Sequence, residues 1–244
     1  MSMIKRLEAF TRLSGDDRTA LERLARGSVR KIGARRDLIR EGDSPRYIYM
    51  MLSGWACRYK TLPDGRRQIV NFFLPGDLCD LHVYVLREMD HNVGAVTPIT
   101  VAEISRESFD LLIENHPRVT QALWWYELVA IAIQREWTLN LGQRSAYERI
   151  AHLFCELFMR QQIVGLTRGD TCDLPLTQSD IAYASGLTPV HVNRTLQELR
   201  RNGLLVLGGK TLTIPNMAAL KEAAMFNDNY LHLNRDGKHL DAND

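Results

Sequence analysis

The chain has 244 residues, which suits one large domain or two modest ones at roughly 100–200 residues each. Hydrophobic residues make up 45% and charged residues 25%, as in ordinary soluble globular proteins, and no apolar run approaches the ~18 residues that span a bilayer. The N-terminus carries charges and no long apolar block, so we expect no signal peptide, no membrane association and a cytoplasmic location. A formal net charge of only +2 does not by itself indicate nucleic-acid binding.

The first half of the chain reads as one helix followed by strands. The stretch from Leu7 to Ala25 predicts a helix, with Ser14 as a capping residue. From Val29 onward, glycine and proline recur at a spacing of roughly 9–12 residues, the rhythm of an antiparallel barrel or sandwich. Strand-like runs between these turns are Asp37–Arg40, Tyr47–Leu52, Trp55–Tyr59, Gln68–Leu74 and Ile99–Ile104. Residues 29–105 are therefore predicted to form a compact β-domain.

A long helix is predicted to begin at Pro117, because the missing amide hydrogen of proline costs nothing in a first turn. Apolar residues then recur at alternating steps of three and four, and a period near 3.5 is typical of a helix paired with another helix. These residues are Val119, Leu123, Tyr126, Ala130, Ile133 and Trp137. The pattern predicts a dimer seam, and a helix lying on the core of its own domain is the alternative. Gly142 ends the pattern and is interpreted as a hinge.

Beyond this hinge, Ser145–Gln161 predicts a further helix, and a second domain extends to about Phe226. The predicted division is a β-domain with its N-terminal helix, the long helix, the second domain and a polar tail, at residues 1–116, 117–142, 143–226 and 227–244. Within the tail, Tyr230, Leu231 and Leu233 are candidates for local docking.

The segment from Leu176 to Leu205 carries the functional motif, with the sequence LTQSDIAYASGLTPVHVNRTLQELRRNGLL. Thr177, followed three residues later by Asp180, predicts a helix N-terminus close to a capping box. Gly186 falls where a sharp turn between two helices needs a positive φ, and Thr188 then caps a second helix. The pattern predicts a helix-turn-helix, with an ordinary α-hairpin as the alternative.

A short hairpin follows the second helix. Asn202-Gly203 ends that helix, and the runs Leu205–Leu207 and Thr211–Ile214 flank Gly208-Gly209. A Gly-Gly turn between two strands predicts a β-hairpin. The motif is therefore a winged helix-turn-helix, whose second helix enters the major groove of DNA with its N-terminal residues near the base edges.

Exposed positions of the second helix are the candidate DNA contacts. Val190, His191 and Arg194 are predicted to contact bases, since arginine pairs with guanine and an apolar side chain contacts a thymine methyl group. Asn193 is a further candidate, because asparagine pairs bidentately with adenine, and Pro189 opens the helix. Phosphate contacts are predicted for Thr188, Arg201 and Lys210.

At these motifs the chain resembles the Crp/Fnr family of bacterial transcription regulators. The resemblance covers roughly residues 10–215 and includes Gly42-Asp43, Ser53-Gly54, the L-P-G-D turn at Leu74–Asp77 and A-E-I-S at Ala102–Ser105. It implies an α+β fold, with an antiparallel jelly-roll barrel like that of cyclic-nucleotide-binding domains, a long dimerisation helix and a winged helix-turn-helix. It further implies a homodimer on a palindromic double-stranded DNA site, RNA polymerase as a partner, and a small-molecule effector that the sequence does not name.

The sequence departs from the family pattern in two places. The family's recognition pattern R-E-x-x-x-R falls on Pro189, Val190 and Arg194, so only the last arginine matches, and we expect a different target half-site. Cyclic-AMP-binding members carry a Gly-Glu pair and an Arg-Ser or Arg-Thr pair, which fall here on Asp80-Leu81 and Met89-Asp90. A cyclic phosphate that faces Asp90 without an arginine would be repelled, so we expect no cyclic-nucleotide binding.

No cofactor is predicted. Iron–sulfur members of the family hold their cluster with N-terminal cysteines, and this chain has none before Cys57. The four cysteines form no C-x-x-C pair and are interpreted as free thiols, with a redox-sensing pair as the alternative: Cys57, Cys79, Cys155 and Cys172. His82 and His91 lie near Cys79, but no ligand spacing supports a haem or metal site. Four aromatic residues could wall a ligand cavity or belong to the core or seam: Trp124, Trp125, Tyr126 and Trp137.

Two other functions are alternatives to DNA binding. A barrel enzyme of the cupin type needs a His-x-His pattern plus a carboxylate to hold its metal, and the barrel has no His-x-His, so we expect no enzyme. A Crp-like scaffold that acts through protein partners is the second rival, and the intact cap, turn and Arg194 argue against it. For Arg200 and Arg201, a solvated helix end that complements the helix dipole is the alternative to phosphate contacts.

Overall fold

The computed structural model describes residues 1–81 and 85–233, which form two compact units. Of the described residues, the first unit comprises 1–59, 72–81, 85–132 and 231–233, and the second comprises 60–71 and 133–230. The helix predicted as a separate segment, 117–142, is thus shared between the two units.

Two helices precede the first strand, α1 at Ser2–Leu7 and α2 at Gly15–Ala25, where the sequence pattern predicted one. Ser14 begins α2 through a capping box. Its hydroxyl accepts a hydrogen bond from the Asp17 amide at 3.1 Å, and the Asp17 carboxylate accepts one from the Ser14 amide at 2.9 Å. Because this cap starts a new helix, the prediction of a single helix from Leu7 is wrong.

The β-domain consists of two four-stranded sheets, in the orders β1-β8-β3-β6 and β2-β7-β4-β5. Their strands are β1 (Ser28–Ile32), β2 (Asp37–Ile39), β3 (Ile48–Ser53), β4 (Ala56–Thr61), β5 (Arg67–Phe73), β6 (Leu78–Cys79), β7 (Asn92–Ala95) and β8 (Ile99–Ile104). Residues of these strands form one apolar core, which includes Ile48, Met50, Val93 and Val101. The predicted antiparallel β-domain is confirmed.

Helix α3 (Arg106–Asn115), which was not predicted, leads into α4 (Pro117–Gln143). The residues predicted for the dimer seam lie on the face of α4 that is buried in the chain itself. Their exposed fractions are 0% for Val119, 2% for Leu123, 7% for Ile133 and 5% for Trp137, while Tyr126 and Ala130 are half-buried. A side chain that is already buried in its own chain has no surface to offer a second helix, so the prediction is wrong for the four buried residues, while Tyr126 and Ala130 stay predictions.

The opposite face of α4 is apolar as well, and it is exposed. Trp124 is 68% exposed, Leu128 53% and Ile131 51%, and Leu139 continues the same face at 46%. Single exposed apolar side chains are common on protein surfaces, but a row of them along one helix marks an interaction surface. We call Trp124, Leu128 and Ile131 the exposed stripe of α4.

In the second unit, α5 (Ala146–Ile163) begins at Ser145 as predicted, with a capping box to Glu148. It packs against α7 (Pro189–Arg201) and α8 (Met217–Ala223), and α6 (Gln178–Ser185) packs against α7. The sheet of this unit is the third described and has the order β11-β12-β10-β9. Its strands are β9 (Thr167–Arg168), β10 (Thr171–Asp173), β11 (Val206–Gly208) and β12 (Thr211–Thr213). The predicted two-stranded wing is confirmed, and β10 and β9 extend it. None of the described helices combines the length and apolar character needed to cross a bilayer.

The chain after α8 folds back on α5. Tyr230 lies in a 3₁₀ turn at Asp228–Leu231, is 8% exposed and donates a hydrogen bond from its hydroxyl to the buried Glu156 carboxylate at 3.0 Å. The predicted docking of Tyr230 and Leu231 agrees with their burial, so residues 227–231 are not part of a polar tail. Residues 234–244 lie outside the described part of the chain.

Gly142 does not break α4, which continues to Gln143, so the predicted break is wrong. The helix ends instead before Arg144 and Ser145.

A Cβ added at Gly142 would meet no atom within 4 Å. Its place in an open stretch of helix predicts that Gly142→Ala raises the free energy of unfolding by about 0.5–1 kcal/mol, because alanine loses less backbone entropy than glycine. Chemical denaturation of the two proteins measures the difference.

Gly54→Ala is the contrasting control for this prediction. Gly54 has a φ of +80°, and a Cβ there would overlap the carbonyl oxygen of Pro98, so this variant is expected to lose stability. A Gly142→Ala protein that is less stable than the parent would mean that residue 142 needs a conformation other than the helical one.

Candidate nucleic-acid interface

Helix α6 is fixed at both ends by the residues that the motif predicted. The Thr177 hydroxyl accepts from the Asp180 amide at 3.1 Å, and the Asp180 carboxylate accepts from the Thr177 amide at 2.9 Å. At the other end, Gly186 adopts φ 62° and ψ 36°, a left-handed conformation that L-residues with a Cβ rarely take. The chain can therefore turn sharply from α6 into α7, and the predicted cap and turn are confirmed.

Helix α7 presents two different faces. Val192, Leu196 and Leu199 are at most 3% exposed and hold the helix against the second unit's core. The other face is open to solvent, with Asn193 and Arg194 exposed. The helix thus has one apolar stripe for packing and one polar face that is free to contact a partner.

Val190 is the most unusual residue of the open face. Its side chain is 81% exposed in the first turn of α7, directly after Pro189. An exposed valine gains nothing from burial in its own chain, but it can contact a thymine methyl group in the major groove. His191, the next residue, is half-buried.

The polar residues near the start of α7 are held by neighbouring side chains. The Thr188 hydroxyl oxygen accepts from the His191 amide at 3.2 Å as an N-cap, which leaves the hydroxyl hydrogen to donate. Gln178 of α6 donates from its Nε2 to Asn193 Oδ1 at 3.2 Å. Gln178 was missed at the level of sequence, where its only signal is its place in the first turn of α6.

The wing has a lysine, Lys210, in its tight turn. Strands β11 and β12 pair Val206 with Thr213 and Gly208 with Thr211. Gly209 and Lys210 form the turn, with φ values of 57° and 64°, so the predicted Gly208-Gly209 turn is wrong by one residue. The Lys210 side chain is exposed at the tip of the wing, and Arg201 is exposed at the end of α7.

A cluster of charged residues, which we call the charged cluster, lies in the β-domain at the positions compared above with the cyclic-nucleotide site. Arg58 on β4 forms a short ion pair with Asp80, and its guanidinium lies 5.1 Å from the centre of the Phe73 ring. His91 is buried and contacts two carboxylates, Asp80 Oδ2 from Nε2 at 3.0 Å and Asp90 Oδ1 from Nδ1 at 2.6 Å. Asp80 itself has a positive φ of 57°. The charges of this cluster thus pair with one another.

The two contacts of His91 favour its charged form. A neutral imidazole has one N–H group, so it can donate to only one of two carboxylates, whereas the imidazolium donates to both. Burial lowers the pKa of His91, but the hydrogen bonds and charges of Asp80 and Asp90 outweigh it and raise the pKa above its ordinary value. For Asp80, burial raises the pKa, and His91 together with Arg58 brings it below its usual range.

The other predicted sensor residues lie in various places. All four cysteines are buried free thiols. Burial raises the pKa of Cys155 and Cys172 to about 12, so the reactive thiolate form is scarce at neutral pH. His82 lies outside the described residues. In residues 1–81 and 85–233, no group of three or more His, Cys, Asp and Glu side chains is arranged to hold a metal ion.

The four aromatic residues do not form one ligand cavity. Trp124 and Trp125 line an apolar groove of about 470 Å³ beside the start of α4. Tyr126 instead donates its hydroxyl to the Leu78 carbonyl at 3.0 Å, and Trp137 donates its indole N–H to Glu156 at 3.1 Å. The last two are therefore core residues.

Comparison with known proteins matches both units of the sequence to described domains. Residues 29–116 match the model of the cyclic nucleotide-binding domain, and residues 148–223 match that of the Crp-like helix-turn-helix domain. The transcriptional activator protein FnrL of Cereibacter sphaeroides is 31% identical over 199 residues, which is 80% of this chain and 79% of FnrL. The nitrogen fixation regulation protein FixK of Bradyrhizobium diazoefficiens is 33% identical over 178 residues, which is 72% of this chain and 73% of FixK.

A solved structure agrees with these relatives. The structure of FixK2 from Bradyrhizobium japonicum superposes with a TM-score of 0.72 at 26% identity, over 80% of this chain and 96% of FixK2. The same family is indicated by the sequence relatives and by the two domain matches. The geometry of α6, Gly186 and α7 agrees with it. The chain belongs to the Crp/Fnr family of transcription regulators and carries its DNA-binding helix-turn-helix in the second unit.

Proposed function

We propose that this protein is a homodimeric regulator that recognises a palindromic DNA site by placing α7 of each subunit in the major groove. The observation that carries the proposal is the open face of α7, where Val190 and Arg194 project from a helix whose other face is buried. Arg194 is assigned to a guanine and Val190 to a thymine methyl group. Asn193, oriented by Gln178, is assigned to an adenine, and His191 to the same base edges.

Phosphate contacts position the helix without reading sequence. We assign them to Arg201 at the end of α7, to Lys210 at the tip of the wing and to the Thr188 hydroxyl, whose hydrogen is left to donate. Pro189 contributes by starting α7 in the conformation that brings these groups together.

The dimer is assigned to the exposed stripe of α4. Trp124, Leu128 and Ile131 follow one another at steps of four and three, the repeat that lets two helices interlock. The groove beside Trp124, whose lining includes Ile113 and Pro117, continues this apolar surface. A two-fold pair built on this stripe would carry two recognition helices, as a palindrome requires.

We propose four further properties because the chain belongs to the Crp/Fnr family. The protein acts in the cytoplasm, contacts RNA polymerase, has no catalytic activity and answers to a small effector that is not a cyclic nucleotide. The last point is supported by the charged cluster, since Asp80 pairs with Arg58 and a cyclic phosphate at this place would meet carboxylates. A cupin-type reaction has no support in the described residues, where no metal-binding group is found.

Selection of genomic fragments with the purified protein, followed by binding assays at defined salt, tests the function. Recovery of a palindrome is expected. Failure to enrich any sequence, even after addition of cell extract, would favour the protein-scaffold alternative.

Arg194→Ala is expected to lose about 1–3 kcal/mol of binding free energy and to relax one base position in each half-site. Arg201→Ala is the matched variant for a phosphate contact, so it should weaken all sequences alike and reduce the salt slope by about one.

Leu128→Asp is expected to give a monomer at micromolar concentration, because a carboxylate in an apolar seam would have to lose its water. Sedimentation equilibrium measures the change. Val29→Asp is the control, since Val29 is an exposed valine, 47% exposed, that belongs to β1 rather than to α4. A dimeric Leu128→Asp protein would place the seam elsewhere.

His91→Gln is expected to cost more stability at pH 6 than at pH 9. The raised pKa means that His91 contributes its full stabilisation below the pKa of the unfolded chain, about 6.5, and loses it as the pH rises through the folded value. Denaturation of both proteins across this range measures the difference. Asp90→Asn, at a carboxylate that is 82% exposed, should have the smaller effect. A cost that does not change with pH would mean that His91 is not charged in the folded protein.

A further inference from the structure

Arg149 makes three hydrogen bonds to backbone carbonyls from three separate places in the second unit. Its Nη1 donates to the Ser185 carbonyl at 2.6 Å. Its Nη2 donates to the Leu141 carbonyl at 3.1 Å and to the Arg144 carbonyl at 2.9 Å. Ser185 is the last residue of α6, Leu141 lies in the last turn of α4, and Arg144 belongs to the link between α4 and α5. One guanidinium therefore joins the end of the long helix to the turn of the helix-turn-helix.

The chemistry of the contact explains why an arginine is present. The last carbonyls of a helix have no partner within it, and the C-terminal end of a helix attracts positive charge. Here the C-terminal ends of α4 and α6 meet at one cation. The planar guanidinium offers donors in a fixed fork, so it can serve two helix ends at once, whereas an ammonium group offers only one donor atom. Burial lowers the pKa of Arg149, and the three carbonyls accept hydrogen bonds from both of its terminal nitrogens.

Apolar packing supports the same junction. A Cβ added at Gly186 would come within 3.3 Å of the Leu141 Cδ2 atom and 3.9 Å of Arg149 Nη1, so the turn lies directly on the end of α4. Gln68, which belongs to the second unit, donates from Nε2 to the Ala184 carbonyl at 3.3 Å on the same turn. The turn that sets the direction of α7 is therefore held from several sides.

We propose that Arg149 is a positioning residue for DNA recognition, which fixes the angle between the end of α4 and the α6–Gly186 turn and thereby sets the half-site spacing that the dimer accepts. The proposal rests on the proposed function, since it requires a dimer on a palindrome. Two recognition helices must lie about one DNA turn, ~34 Å, apart, and a small rotation of each motif about the end of its α4 would change that distance. Arg149 touches no base in this scheme and acts only through the direction of α7.

The test uses the full chain and a set of palindromes in which the separation of the two half-sites is varied by one or two base pairs, together with a single half-site. Arg149→Gln removes the charge and the fork. We expect this variant to lose about tenfold in its preference for the best spacing over spacings one base pair longer or shorter, with unchanged base preference within each half-site. Arg149→Lys keeps the charge but not the fork, and it should lose part of the spacing preference.

Arg160→Lys is the matched control, because it makes the same change on the same helix. Arg160 is 4% exposed, and its Nη1 donates to Glu156 at 3.2 Å, so the change alters a buried cation away from the turn. This variant is expected to lose stability while keeping the parent spacing profile, which separates loss of stability from loss of position. Thermal unfolding of each variant shows that the comparison is made on folded protein.

Two results would overturn the inference. If both Arg149 variants keep the parent's spacing profile, the guanidinium does not position the motif. If Arg160→Lys changes the profile as much as Arg149→Lys does, the effect is one of stability. A parent protein that binds single half-sites as well as any palindrome would instead reject the dimeric function, and the inference would fall with it.

Discussion

Helix α4 has apolar side chains on two opposite faces, and each face has to be covered. One face is buried in the chain itself, where Val119 and Leu123 belong to the core of the first unit. The other face leaves large apolar side chains in water, Trp124 and Leu128 among them. Burying apolar area is the main favourable contribution to folding and association, at roughly 25 cal/mol per Å². A helix with two apolar faces is thus consistent with the proposal that the chain folds with one face and dimerises through the other.

Each unit also contains a buried histidine, and in both cases the surroundings shift its pKa. His91 lies between two carboxylates, which raise its pKa and favour the charged form that can donate from both nitrogens. His152 on α5 is fully buried, and burial lowers its pKa to about 3, so it stays neutral. Its Nδ1 lies 2.9 Å from the Asn140 amide nitrogen, which a neutral ring can accept from. The same residue type therefore serves as an ion in the β-domain and as a neutral core group in the second unit.

The helix-turn-helix combines local and distant control. The caps at Thr177 and Thr188 and the left-handed Gly186 define where α6 and α7 begin and end, and they act within a few residues. The direction in which α7 points depends on what holds the turn. Arg149 and Leu141 provide that support from other elements of the unit. A DNA-binding motif that is locally complete can thus be aimed by residues that never reach the DNA.

The sequence by itself determined the elements whose causes are local. The capping residues, the positive φ at Gly186, the proline at the start of α4 and the turns between the strands were all readable, because each depends on a few neighbouring residues. The resemblance of these motifs to a known family then supplied the fold and the DNA-binding function. The single N-terminal helix, the break at Gly142 and the wing turn were predicted wrongly, by a few residues or by one element.

Tertiary structure alone decided which face of α4 is buried. A period near 3.5 residues is shared by both apolar faces, so the sequence could not distinguish Leu123, in the core, from Leu128, on the surface. The contact of Asp80 with Arg58 and that of Arg149 with the Ser185 carbonyl likewise join residues far apart in the chain, separated by 22 and 36 positions. Such contacts leave no periodic pattern in the sequence. They depend on how the strands and helices pack, and packing is a property of the whole unit rather than of any local segment.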